Sequence, residues 1–114
     1  MGHEELPVFV RWSNFLGRFL KITEKFPKRV RFTFSSRLDN LAIGILEGIV
    51  EAAYSRNKGH ILNRINLDIE KMRVLIRLSY DEKYLSAASY RYAIKELYET
   101  GSMIGGWIKE QKRR

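Results

Sequence analysis

Cysteine is absent from the 114 residues, which removes disulfide frameworks, thiolate nucleophiles and Cys-ligated zinc. Histidine occurs only at His3 and His60, too few and too far apart for a multi-histidine metal site. Pro7 and Pro27 are the only prolines, so helices are unopposed over most of the chain. Long apolar runs are missing as well. The best, LAIGILEGIVEAAY (41–54), carries Glu47 and Glu51 and falls short of the roughly 20 residues that span a bilayer. The start, MGHEELPVF, has no basic region followed by an apolar stretch; it does not read as a signal peptide, and a cytoplasmic domain without membrane contact is expected.

Catalytic patterns are equally scarce. No Gly-rich phosphate loop and no Ser/His/Asp set occurs. Asp39, Glu47 and Glu51 share one predicted helix, but a di-iron bundle needs two Glu-x-x-His pairs facing inward, and there are none. Asp39 and Glu47 are read instead as partners for the surplus arginines. In RNKGH, Arg56 precedes His60 by four residues. That approaches the Arg-x4-6-His pattern of helical-bundle ribonucleases, yet it is one residue short and lies across a glycine turn. The reading is a protein that is not an enzyme, with no cofactor and no metal.

What is present is charge and helical periodicity. The chain holds 21 Lys+Arg against 13 Asp+Glu, a net charge of +8, with 45% hydrophobic residues. That apolar fraction supports one folded domain over 1–114, and the charge points to acidic partners. Apolar residues recur at three- and four-residue steps, which predicts four helices at roughly 7–26, 35–55, 59–79 and 86–110. Their stripes are Val8, Trp12, Phe15, Phe19, Ile22 and Phe26; then Leu38, Leu41, Ile45, Gly48 and Ala52; then Ile61, Ile65, Ile69, Met72 and Ile76; and last Tyr90, Ile94, Leu97, Gly101, Ile104 and Ile108. Pro7 suits a first helical turn, Pro27 forces a break, and Ser35 or Ser36 offers a cap. VRFTF (30–34) alternates like a strand but is too short to build a sheet. The fold class predicted is all-α, an antiparallel up-down four-helix bundle.

Two further patterns bear on packing. The first and third helices carry apolar residues off their main stripes: Phe9, Leu16 and Leu20, and Leu62, Leu67, Val74, Leu75 and Leu78. Such extra faces meet other subunits or flank an ordinary core; a homo-oligomer is the preferred reading. Gly44, Gly48, Gly101, Gly105 and Gly106 lie within predicted helices, where each costs up to ~1 kcal/mol against alanine, and close helix approach would offset that. For GSMIGGW the alternative is a kink or an early helix end.

The charges themselves form rows. On the first helix Arg11, Asn14, Arg18, Lys21 and Lys25 recur on one face with no acid among them, and the row continues into Lys28, Arg29 and Arg31 around Pro27. A solvated helix normally interleaves Glu with Lys. The third helix adds Arg73 and Arg77, one turn apart, near Lys71 and Lys58; Lys109, Lys112, Arg113 and Arg114 close the chain. Rows of this kind suit phosphate neutralisation with counterion release, which needs no sequence-specific geometry. The plainer alternative is a solvated basic surface.

These residues carry a resemblance. FPK (26–28) followed by SSRLDNLAIGILEGIVEA (35–52) resembles the break and second helix of the four-helix-bundle proteins encoded in 23S rRNA intervening sequences, with Glu47-Gly48 as the Glu-Gly pair. MRVLIRL (72–78), with Arg73 and Arg77, and IGGWIK (104–109) are more similar to a related family, the accessory variability determinants of diversity-generating retroelements. Asp39-Asn40-Leu41 stands where the rRNA-encoded relatives are basic and alanine-rich, which favours the retroelement branch. The resemblance implies a basic homopentameric barrel of four-helix bundles. It would bind nucleic acid (template RNA, with DNA as the other candidate) and the element's reverse transcriptase, supporting mutagenic cDNA synthesis. The contacts expected are Arg11, Arg18, Lys21, Lys25, Lys28, Arg29, Arg31, Arg73, Arg77 and Lys109. An rRNA-associated protein, or a general RNA- or DNA-binding oligomer, is the alternative.

Overall fold

A computed structural model of the chain describes residues 2–113. Four α-helices account for most of them: α1 (Pro7–Glu24), α2 (Ser36–Tyr54), α3 (Gly59–Asp81) and α4 (Ala87–Lys112). No strand occurs among the described residues. Each helix packs on the next, and α4 returns to α1. The result is a rod measuring 46 × 20 × 20 Å. Short connections make neighbours antiparallel, so α1 and α3 end where α2 and α4 begin.

Local chemistry sets the ends. Pro7 stands at the start of α1, where its missing N–H has no helical partner to lose. At the other end α1 stops at Glu24 rather than 26, because Phe26 precedes Pro27 and the residue before proline is pushed out of the helical region. Ser86 caps α4, its Oγ accepting the Ser89 N–H at 3.1 Å. Neither Ser35 nor Ser36 caps α2. Ser35 is helical and buried, and a 3₁₀ turn (Lys28–Val30) and a π-helical turn (Arg31–Ser35) feed α2 directly. VRFTF is therefore helical, not extended.

The core follows the apolar stripes. Trp12, Phe19, Leu38, Ile45, Ile49, Leu62, Met72 and Ile76 are fully buried, each worth about 1.5–3 kcal/mol of transfer free energy. Trp12 also donates its indole N–H to the Ala42 carbonyl at 2.8 Å, tying α1 to α2. Of the off-stripe residues, Leu62 belongs to the core, and Phe9, Leu16 and Leu75 flank it. Leu67, Val74 and Leu78 are instead 55%, 59% and 43% exposed. They sit at i, i+7 and i+11, on the side of α3 opposite Ile65, Ile69 and Met72.

Only one glycine of the set makes a close approach. A Cβ on Gly48 would lie 2.9 Å from Ile65 Cγ1, so this glycine lets α2 and α3 come together. Gly44, Gly101, Gly105 and Gly106 face open space within the chain. The GSMIGGW stretch neither breaks nor ends α4.

Candidate nucleic-acid interface

The densest charge lies where Pro27 stops α1. Val30 is buried, Phe26 meets the Tyr84 ring at 5.8 Å, and Phe34 packs edge-on against the same ring at 5.5 Å. With those side chains turned inward, Lys28, Arg29, Arg31 and Phe32 are left on the outer surface. The Arg29 guanidinium stands 5.5 Å from the Tyr84 centroid. Lys28, Arg29 and Arg31 have no acidic partner among the described residues.

The first-helix row joins this corner. Lys21 and Lys25 are exposed and line grooves between α1 and the start of α4, beside Ser86, Ser89 and Tyr92. Arg18 lies over the Tyr92 ring, 4.1 Å from its centroid. Burial raises the Tyr92 hydroxyl above its ordinary pKa, with the Arg18 charge acting against it. Arg11 differs. Its Nε and Nη2 donate to the two Glu96 oxygens at 3.1 and 2.9 Å, so a row that is acid-free within its own helix receives an acid from α4.

On α3 the arginines have acidic companions. Arg73 donates to Glu70 one turn earlier. Arg77 donates to Asp81 at 3.1 Å, and its pKa is raised by hydrogen bonds to Tyr90 and Asp81. Lys71 Nζ lies 3.8 Å from Asp68. Exposed pairs like these add little to stability and exchange readily for a phosphate. Lys58 does not join that row; its ammonium donates to the Ala52 and Ser55 carbonyls at 2.6 and 2.5 Å, closing the end of α2. Lys109 is exposed in the last turns of α4, at the opposite end of the rod from Lys25 and Lys28, where a cation also complements the helix dipole. Arg114 lies outside the described residues.

The periodicity of the first and third helices did not show what α4 adds between them. α4 packs on both α1 and α3; Arg18 reaches Tyr92 on one flank and Arg77 reaches Tyr90 on the other. Arg91 and Lys95, one turn apart, are exposed on the helix between these flanks, without an acidic partner among the described residues. Glu96 follows Lys95 in the chain and hides the pattern, yet it faces Arg11. The i,i+4 spacing of two cations was the available signal.

The acids are placed otherwise than the sequence suggests. Asp39 accepts the Thr23 hydroxyl at 2.6 Å rather than an arginine, and burial raises its pKa against that hydrogen bond. Glu47 is exposed, with no ion pair among the described residues; Glu51 takes Arg64 at 2.9 Å. Arg56 and His60 are both exposed, and no hydrogen bond joins them. Among the described residues no group of three or more His, Asp or Glu gathers to hold a metal ion, and no helix is long and apolar enough to cross a membrane.

A family model described as bAvd-like matches residues 8–111, which takes in α2 and α3 and all but one end residue of α1 and of α4. No curated protein gives a significant match to the chain.

Proposed function

This chain belongs to the bAvd-like family, the bacterial accessory variability determinants, and on that premise we propose that it is a non-catalytic, nucleic-acid-binding accessory of a diversity-generating retroelement. In this role it holds template RNA, with DNA as a second candidate, and docks on the reverse transcriptase during mutagenic cDNA synthesis. One observation carries the reading: Arg18, Lys21, Lys25, Lys28, Arg29 and Arg31 run along α1 into the corner with no acidic partner among the described residues. Such a surface repels itself, and a polyanion relieves that repulsion while releasing condensed counterions. Arg11, Arg73 and Arg77 join it by exchanging a carboxylate for a phosphate or for an acidic patch on the polymerase, and Lys109 makes a separate contact at the other end of the rod. The match also favours the retroelement branch over the rRNA intervening-sequence alternative.

The purified protein is expected to bind single-stranded RNA without cleaving it, with log affinity falling by about 0.7 per phosphate neutralised for each tenfold rise in salt. Cleavage abolished by His60→Ala, or salt-independent binding, would overturn the proposal. An Arg73→Ala/Arg77→Ala variant that keeps its RNA affinity but no longer pulls down the polymerase would reassign that pair to the protein contact.

Assembly belongs to the same proposal. The outward row Leu67, Val74 and Leu78 gives α3 a second apolar face, and a closed homo-oligomer, a pentameric ring in the family reading, covers it and concentrates the charge of each chain. Replacing the row by Leu67→Gln, Val74→Thr and Leu78→Gln is expected to yield monomers in light scattering while helical circular dichroism persists. A native protein that is monomeric at micromolar concentration removes the ring.

A further inference from the structure

We infer that Phe32 and the groove behind it form a seat for one unpaired nucleobase. This inference rests on the nucleic-acid reading above. Phe32 is 88% exposed, more than any other large hydrophobic side chain described. An aromatic ring left in water is ordinarily a cost, since its burial is among the most favourable a side chain can make. The ring is not on a loose loop. It stands on the π-helical turn that continues into α2, anchored beneath by Val30 and by Phe34 against Tyr84. Arg31 lines the same groove, and Lys28 and Arg29 lie close by along the chain; Glu24 also lines the groove, but none of the three cations is ion-paired among the described residues. A rigid exposed ring among cations is the arrangement that stacks bases while the backbone phosphates are neutralised beside it.

The groove supplies the polar edge. It opens between α1 and α2 with a volume of about 600 Å³, and Phe32, Thr23, Glu24, Ser36, Asp39 and Asn40 are among the residues that line it. Asp39 Oδ1 accepts from Thr23 at 2.6 Å, which fixes the carboxylate, while Oδ2 has no hydrogen-bond partner among the described residues. A fixed carboxylate oxygen accepts N–H from a base edge, and the Asn40 amide both donates and accepts. Bases with exocyclic amino groups (guanine, adenine, cytosine) present more donors there than uracil does. The seat therefore confers a modest base preference on a surface otherwise indifferent to sequence.

The test compares single-stranded RNA with inorganic polyphosphate, a polyanion without bases, at fixed ionic strength. Phe32→Ala is expected to weaken RNA binding by about tenfold to a hundredfold, to leave polyphosphate binding unchanged, and to be rescued by Phe32→Tyr. Asp39→Asn should reduce the preference for a cytidine-rich over a uridine-rich strand, with thermal melting checking that the Thr23 contact still holds the fold. Equal binding of RNA by wild type and Phe32→Ala, with polyphosphate bound as before, overturns the seat and leaves the phosphate reading intact. Failure of the wild-type protein to bind either polyanion overturns both. A change in assembly size on Phe32→Ala, at constant RNA affinity, would assign the ring to a neighbouring copy instead and also overturns the seat.

Discussion

Substituting alanine for Lys25, Lys28, Arg29 and Arg31 together is expected to lower single-stranded RNA affinity by two to three orders of magnitude at about 0.1 M salt. The size of the effect follows from counterion release. Each phosphate neutralised contributes a log–log slope of about 0.7 for single strands, so deleting four cations removes about 2.8 from the slope and, at 0.1 M salt, about 2.8 from log affinity relative to its value at 1 M. Fluorescence anisotropy across a salt series reads both quantities. All four side chains are exposed, and within the fold the main interaction removed is that of Arg29 with Tyr84, worth ~1 kcal/mol or less at an exposed site. The fold should survive. An unchanged slope would mean that the corner is solvated surface, and the charge elsewhere would have to explain any binding.

Trp12→Ala is the second large effect. The side chain is fully buried, lies 4.9 Å from Phe15 between ring centroids, and bonds the Ala42 carbonyl. Truncating a buried tryptophan costs about 3–5 kcal/mol, set against ~5–15 kcal/mol of total stability for a domain of this class. Urea denaturation should show a midpoint shifted far down at constant slope, or no cooperative transition at all. Trp12→Phe keeps most of the volume and loses the hydrogen bond, so it should lie between. A midpoint unmoved by Trp12→Ala is incompatible with the packing of α1 on α2.

The helices were legible because burial imposes its period on the residues: Trp12, Phe15 and Phe19 lie inward for the same reason that their spacing is three and four. Pro27 marked the break. What followed it was not legible, since Val30, Phe32 and Phe34 alternate as a strand does, and only tertiary packing, that of Phe34 on Tyr84 among it, turns the first and third inward on helical backbone. The glycines misled in the same way. Gly48 and Gly44 look alike in sequence, but whether a Cβ would collide depends on Ile65 of another helix. The charged rows were legible as rows. Their partners were not, because Arg11 finds its acid on α4, Lys58 caps α2, and Asp39 takes a threonine. Arg91 and Lys95 stayed hidden because a neighbour in sequence, Glu96, is not their neighbour in space.

The two tryptophans differ in surroundings, and this gives the molecule its own optical readout. Trp12 is sealed in the core, whereas Trp107, near the end of α4, is only partly covered. An indole shielded from water emits at shorter wavelength than a hydrated one, so the native spectrum is a sum of two separable components. Unfolding should red-shift the Trp12 component. A docking event that covers the far end of α4 should blue-shift the Trp107 component and leave the other in place. Intrinsic fluorescence can therefore tell loss of the core from occupation of the surface without a label.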